Sequence, residues 1–198
     1  MSSFNAHDRA IKFARGYKLG KRADKQAETR ARIIEATLAL HSSLGPARTS
    51  VSQIAERAGV QRHTVYAHFP DERSLFLACS GLALERNPLP DPAAWAALPA
   101  GHERLRAGLA AMYGWFERNA EMAACVLRDA EDHALTGEMI ALRMAPTFAE
   151  AVSVLGEGLS ERQRALLGVA LDFACWRTLA LPVDTAAALM SDAVAGLA

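Results

Sequence analysis

The chain has little cysteine: Cys79, Cys125 and Cys175 are odd in number, far apart and without a CxxC pair. That argues against a disulfide framework or a cysteine-held metal and for buried free thiols in a reducing cytosol, with redox sensing as the alternative. No apolar run approaches the ~18 residues needed to span a bilayer, and the N-terminus alternates charges where a secretory signal needs an apolar block. The expectation is a cytoplasmic protein with no membrane partner. Glycine-rich phosphate loops, a nucleophile elbow and paired metal-binding motifs are all missing, so neither an enzyme nor a cofactor or resident metal is expected. Asp129 and His133, one helical turn apart beside Glu131 and Asp132, offer either a metal site or an ordinary acidic face or pocket lining. Net charge is also lacking, at a formal +0.

That zero conceals an asymmetry. Through Arg86 there are 14 Lys and Arg against 8 Asp and Glu, net +6; beyond it there are 8 against 14, net −6. An acidic C-terminal half would be repelled by phosphate and is expected to face away from any nucleic acid bound by the basic half. With 51% of 198 residues apolar the chain can bury a substantial core, as one or two small domains. Few β-branched runs and abundant Ala, Leu, Glu and Arg predict an all-α fold.

The most informative stretch is Thr49 to Phe69, TSVSQIAERAGVQRHTVYAHF. Ser50 and Gln53 have the spacing of a capping box, and Val51, Ile54, Ala55 and Ala58 form one apolar helical stripe. Gly59 suits a left-handed turn, and Val60 can fill the corner before a second helix that keeps Val65 and Phe69 inward. Gln61, Arg62, Thr64 and His68, with parts of His63, Tyr66 and Ala67, then face outward. This is a helix-turn-helix pattern whose outer face is rich in groove-compatible donors. A basic extension, residues 1–24, precedes it and carries Lys21 and Arg22, with Lys25 just beyond. It reads either as a frayed or partly helical tail or as an arm contacting phosphates or the minor groove.

The run Ile54-Ala55-Glu56-Arg57-Ala58-Gly59-Val60, then Thr64-Val65-Tyr66-Ala67-His68-Phe69 and Leu75, resembles the DNA-binding signature of the TetR family of bacterial transcription regulators over roughly residues 27 to 86. His63 stands where that pattern commonly has a small residue or proline, and Glu72 where it commonly has a lysine. The resemblance implies an N-terminal three-helix DNA-binding domain (25–87) and a C-terminal helical domain (88–198) for effector binding and dimerisation. Partners would be a pseudo-palindromic double-stranded operator, a small-molecule effector and a second copy of the chain. The favoured function is a repressor released by its effector, with an activator of the same fold as the alternative. A helical enzyme or scaffold retaining the motif only as structure is the remaining reading. Arg62 and His63, supported by Gln61, are expected to read base edges, Arg62 through a bidentate pair with guanine. Arg48, Thr64, Tyr66, His68, Lys21, Arg22 and Lys25 are expected along the phosphates, and Ser50 is counted with them as a DNA-binding residue.

Periodicity predicts a first helix over about 25–43, stopped by Gly45-Pro46, and a fourth over about 71–86, stopped by Asn87-Pro88. His41 reads as a histidine at the edge of the core. A proline-rich break at 88–92 is taken as the domain boundary. A short helical turn near 93–98 and helices near 101–118, 121–134, 137–157, 161–181 and 185–197 follow, with starts at Thr136, Ser160 and Asp184. Trp115, Phe116, Phe173 and Trp176 are the candidates to line an effector cavity. Arg128 and Arg177 would anchor an acidic group there or form salt bridges. The last two predicted helices carry apolar residues on broad faces, including Leu167 and Val194, which suggests a subunit interface.

Overall fold

A computed structural model describes the backbone of residues 4–197 and the side chains of residues 21–197. Helix α1 runs Phe4–Ser43, 40 residues and about 60 Å. The basic extension is therefore continuous with the first helix rather than separate from it, a correction to the expected start near Lys25. The segment from Lys21 to Arg32 contains only residues that a helix tolerates, with no proline or glycine to stop it.

After α1 a 3-10 turn, Pro46–Arg48, leads into α2 (Val51–Ala58), α3 (Arg62–His68) and α4 (Glu72–Arg86). These pack on α1 around Ile33, Leu40, Ile54, Val65, Phe69 and Leu75. Arg30 lies over the Phe69 ring at 4.7 Å, and Arg86 pairs with Glu35, fastening both ends of α4's neighbourhood to α1. Then follow α5 (Ala93–Ala96), α6 (His102–Arg118), α7 (Ala120–Ala130), α8 (Ala134–Arg143), α9 (Ala145–Leu155), α10 (Glu161–Ala170), α11 (Phe173–Leu179) and α12 (Val183–Gly196). A second core gathers Leu105, Leu109, Met112, Tyr113 and Phe116 of α6 against Ala187, Met190 and Val194 of α12, with Leu167 and Leu155 closing it. Tyr113 donates its hydroxyl to the Ala170 carbonyl at 2.8 Å. Among the described residues no single helix is long and apolar enough to cross a membrane.

Two predicted helices are each broken in two. The 137–157 helix divides at Met144 because Pro146, in the first turn of α9, has no N–H to continue the ladder and its ring collides with the preceding turn. The 161–181 helix divides after Leu171 because the Asp172 carboxylate accepts from the N–H groups of Ala174 (2.7 Å) and Cys175 (3.2 Å), starting α11 afresh. Thr136 does not open a helix: α8 starts at Ala134, and Thr136 is buried with its hydroxyl 2.8 Å from His133 Nδ1. Of the three thiols only Cys79 is buried; Cys125 and Cys175 are half-buried. Leu167 and Val194 have no exposed surface and belong to the subunit's own core, so neither lies on a face open to a partner.

Candidate DNA-binding surface and effector cavity

The geometry of α2 and α3 follows from their sequence. Ser50 donates its N–H to Gln53 Oε1 at 2.8 Å and its hydroxyl accepts from the Gln53 N–H at 3.3 Å, completing the capping box. At the other end Gly59 takes φ 65° and ψ 39°. The Val60 N–H then reaches the Ala55 carbonyl (2.9 Å) and the Gly59 N–H the Glu56 carbonyl (3.1 Å). This paired closure needs a residue without a Cβ at the left-handed position, and it sets the angle between the helices.

Helix α3 rests on the core through Val65, while Gln61, Arg62, His63 and Tyr66 are exposed and Thr64 and His68 are half-buried. Gln61 occupies the N-cap position but its side chain makes no cap bond, so it is available to a ligand. Arg48 and Ser50 are exposed at the approach to α2, and Lys21, Arg22 and Lys25 are exposed along α1. Glu72 is exposed in the first turn of α4, where the N-terminal helix dipole favours its charge. Its neighbour Arg73 turns towards the C-terminal helices and pairs with Glu138 of α8 at 2.7 Å.

Behind this surface lies an apolar cavity of about 100 Å³ between α1 and α4 on one side and α6, α7 and α8 on the other. Trp115 is on its wall, as are His41, Phe76, Cys79, Met139 and Arg143. Burial, with a smaller contribution from His133 and a partial offset from Asp129, lowers the His41 pKa to about 4. Its Nδ1 lies 3.6 Å from Cys79 Sγ, whose own pKa is pushed up to about 12 by burial, so this thiol is inert. A neighbouring cavity of about 220 Å³ is bordered by Phe116, Phe148 and Phe173, and Trp115, Leu127 and Met144 are common to both. Trp176 packs on Phe116 and Phe173 with its indole N–H buried and unpartnered.

The two candidate anchors lie elsewhere. Arg128 is part of a clasp to the end of α1: it bonds Asp129 at 2.7 Å and the Leu44 carbonyl at 3.0 Å. Arg177 is exposed on α11. Asp129 accepts from the Ala47 N–H at 2.9 Å. Burial alone would raise its pKa, but the Arg128 and Ala47 bonds and the charges of Arg128 and Arg48 outweigh that and lower it. Among the described residues no cluster of three or more His, Cys, Asp or Glu could hold a metal ion. Sequence reasoning missed the contribution of α1 and α4 to the cavity wall, because Phe76 and Cys79 carry the same inward spacing as any core residue. It also missed Arg143.

Residues 33–79, from the last quarter of α1 through the helix-turn-helix to the middle of α4, match the family described as bacterial regulatory proteins, tetR family. Over this stretch the chain is similar to the DNA-binding domain of the TetR family. It is 41% identical over 56 residues to the HTH-type transcriptional regulator AcrR of Shigella flexneri, across 28% of this chain and 26% of AcrR. It is 38% identical over 64 residues to the HTH-type transcriptional repressor KstR of Mycolicibacterium smegmatis, across 32% and 31%. These matches thus span about a third or less of either relative. The TetR-like fold extends further: the TetR-family regulator PfmR of Thermus thermophilus superposes with a TM-score of 0.58 at 21% identity, covering 83% of this chain and 97% of PfmR. The TetR fold accounts for the all-helical architecture seen here beyond the matched domain.

Proposed function

We propose that this protein is a homodimeric transcriptional repressor of the TetR family, released from a pseudo-palindromic operator when a small molecule enters the cavity behind α4. Residues 25–87 read DNA, and 88–198 carry dimerisation and most of the effector wall. The observation that carries the reading is the position of α4. It follows the exposed recognition helix α3 directly and also forms one wall of the cavity through Phe76 and Cys79. An occupant that favours a different spacing of α4 and α8 shifts the population towards a conformer in which the two recognition helices no longer match successive major grooves. The name of the relative KstR supports repression over activation.

The test is direct. The protein is titrated into labelled fragments of the DNA flanking its own gene at several salt concentrations, and a reporter driven by the same DNA is measured with and without the gene. Salt-sensitive, sequence-selective binding together with a reporter that rises on deletion is expected. Binding with a reporter that falls on deletion identifies an activator, and no selective binding leaves the helix-turn-helix as structure only.

A further inference from the structure

The wall of the 100 Å³ cavity is almost entirely carbon, and most of its polar side chains are already engaged. His41 faces Cys79, Ser80 donates to the Leu77 carbonyl at 3.3 Å, and Thr136 is bonded to His133. Arg143, near the C-terminus of α8, is different. Its Nη2 donates to the Leu77 carbonyl of α4 at 3.3 Å, but its Nε is buried with no partner. Among the described residues no carboxylate forms an ion pair with it. A guanidinium carries five donors in a planar fork, and burying one of them unmet beside an apolar space is costly unless something supplies the acceptor.

We propose that this cavity takes a small molecule with an apolar body and a single anionic head, a monocarboxylate in the first instance, and that Arg143 binds the head. This names the ligand class of the effector site put forward above and rests on that reading. A carboxylate is expelled from an apolar cavity unless it is paired, and the arginine fork is the side chain whose geometry meets both carboxylate oxygens. Size narrows the body: an apolar cavity of ~150 Å³ admits benzene, so one of about 100 Å³ suits a single ring, with slight adjustment, or a short chain. The anchor is also placed to report occupancy. The Arg143 guanidinium rests on α4, its Nη2 lying 3.7 Å from the point where a Cβ on Gly81 would sit. Turning the fork to a ligand exchanges the Leu77 bond for the carboxylate and frees α4 from α8 at that point.

The full chain, without DNA, is titrated with benzoate and hexanoate and with their amides, read by calorimetry and by tryptophan fluorescence, since Trp115 lines the cavity. Each acid is expected to bind at least tenfold more tightly than its amide. Arg143→Gln should weaken the acids at least tenfold and leave the amides within about twofold, whereas Arg143→Lys should fall between. Ala83→Phe, which fills the cavity from α4 without touching the charge, should abolish binding of both. Acids and amides binding alike, acid binding unchanged in Arg143→Gln or in Ala83→Phe, or no binding of any probe would each overturn the proposal; the acid-to-amide contrast decides it even if a variant does not fold. The DNA titration is a separate arm: Arg143-dependent binding of benzoate by a protein that binds no DNA selectively would refute the transcriptional reading and leave the anion site standing.

Discussion

Arg62 opens α3 exposed to solvent and, among the described residues, forms no hydrogen bond or ion pair, so its guanidinium reaches a base edge without first breaking such a contact. Arg62→Ala is expected to weaken operator binding by about 1–3 kcal/mol and to relax preference at one base pair per half-site. A randomised-site selection that returns the same consensus for both proteins would show that Arg62 is not a reader. A second residue is informative for a different reason. Ala180, between α11 and α12, has φ 49°, the one non-glycine residue with positive φ among those described. The left-handed conformation costs an L-residue about 1–2 kcal/mol, while the freer unfolded chain of a glycine offsets about 0.5–1 kcal/mol of the relief. Ala180→Gly should therefore stabilise by roughly 0.5–1 kcal/mol in urea unfolding, and a lower midpoint would mean that the Ala180 methyl packs more than it strains.

At the level of elements, the continuity of α1 changes what its basic N-terminal part can do. A stiff helix that enters the domain core at Ile33 carries Lys21, Arg22 and Lys25 at fixed positions, where a loose tail would sample many. Deleting residues 1–22 should make the slope of log affinity against log salt shallower by about 0.9 for each phosphate no longer neutralised. Identical slopes would show that this part of α1 does not touch the backbone of DNA. The elements also show what could be read from sequence. The helix-turn-helix was legible almost residue by residue, because capping box, glycine turn and apolar stripe are local and agree with one another. Breaks at Pro146 and Asp172 lie inside apolar periodicity that runs straight through them, and a single local residue marks each. The cavity was only partly legible. Trp115 was found through its bulk, but the walls from α1 and α4 and the anchor Arg143 depend on how distant helices meet, which periodicity within one helix does not encode.

The molecule as a whole couples the two cores through ionisable groups, and these predict how its stability varies with pH. His41 has a folded pKa of about 4, below its ordinary 6.5, and Asp129 is also lowered from its usual value. For both, the unfolded chain binds protons more readily than the folded one. Their contributions are thus complete at neutral pH and lost on acidification, that of His41 between pH 6.5 and about 4 and that of Asp129 below the ordinary carboxylate range. The His41 contribution amounts to at most about 3 kcal/mol. Urea midpoints should fall between pH 7 and pH 4.5, and the fall should be smaller in His41→Gln; an equal fall in both proteins would place the acid sensitivity elsewhere.

Assembly is the last property at this scale, and the burial of individual side chains redirects how it should be tested. Leu167 and Val194 are 0% exposed within one subunit, so a glutamate at either would place an unpaired charge in the subunit core and unfold it, whatever the oligomeric state. Val169 on α10 and Leu189 on α12 are 54% and 47% exposed, on two helices that pack together within the subunit, so about half of each side chain is left open. If a second copy packs on this face, Val169→Glu with Leu189→Glu brings like charges together across the two-fold axis and should yield a folded monomer by sedimentation, with an unchanged helical spectrum. Such a monomer keeps each recognition helix but not their spacing of about one helical turn of DNA, ~34 Å, so it should bind a half-site as before and lose the added affinity of the full operator. A double variant that remains dimeric and binds the full operator normally would mean that the subunits meet through another face.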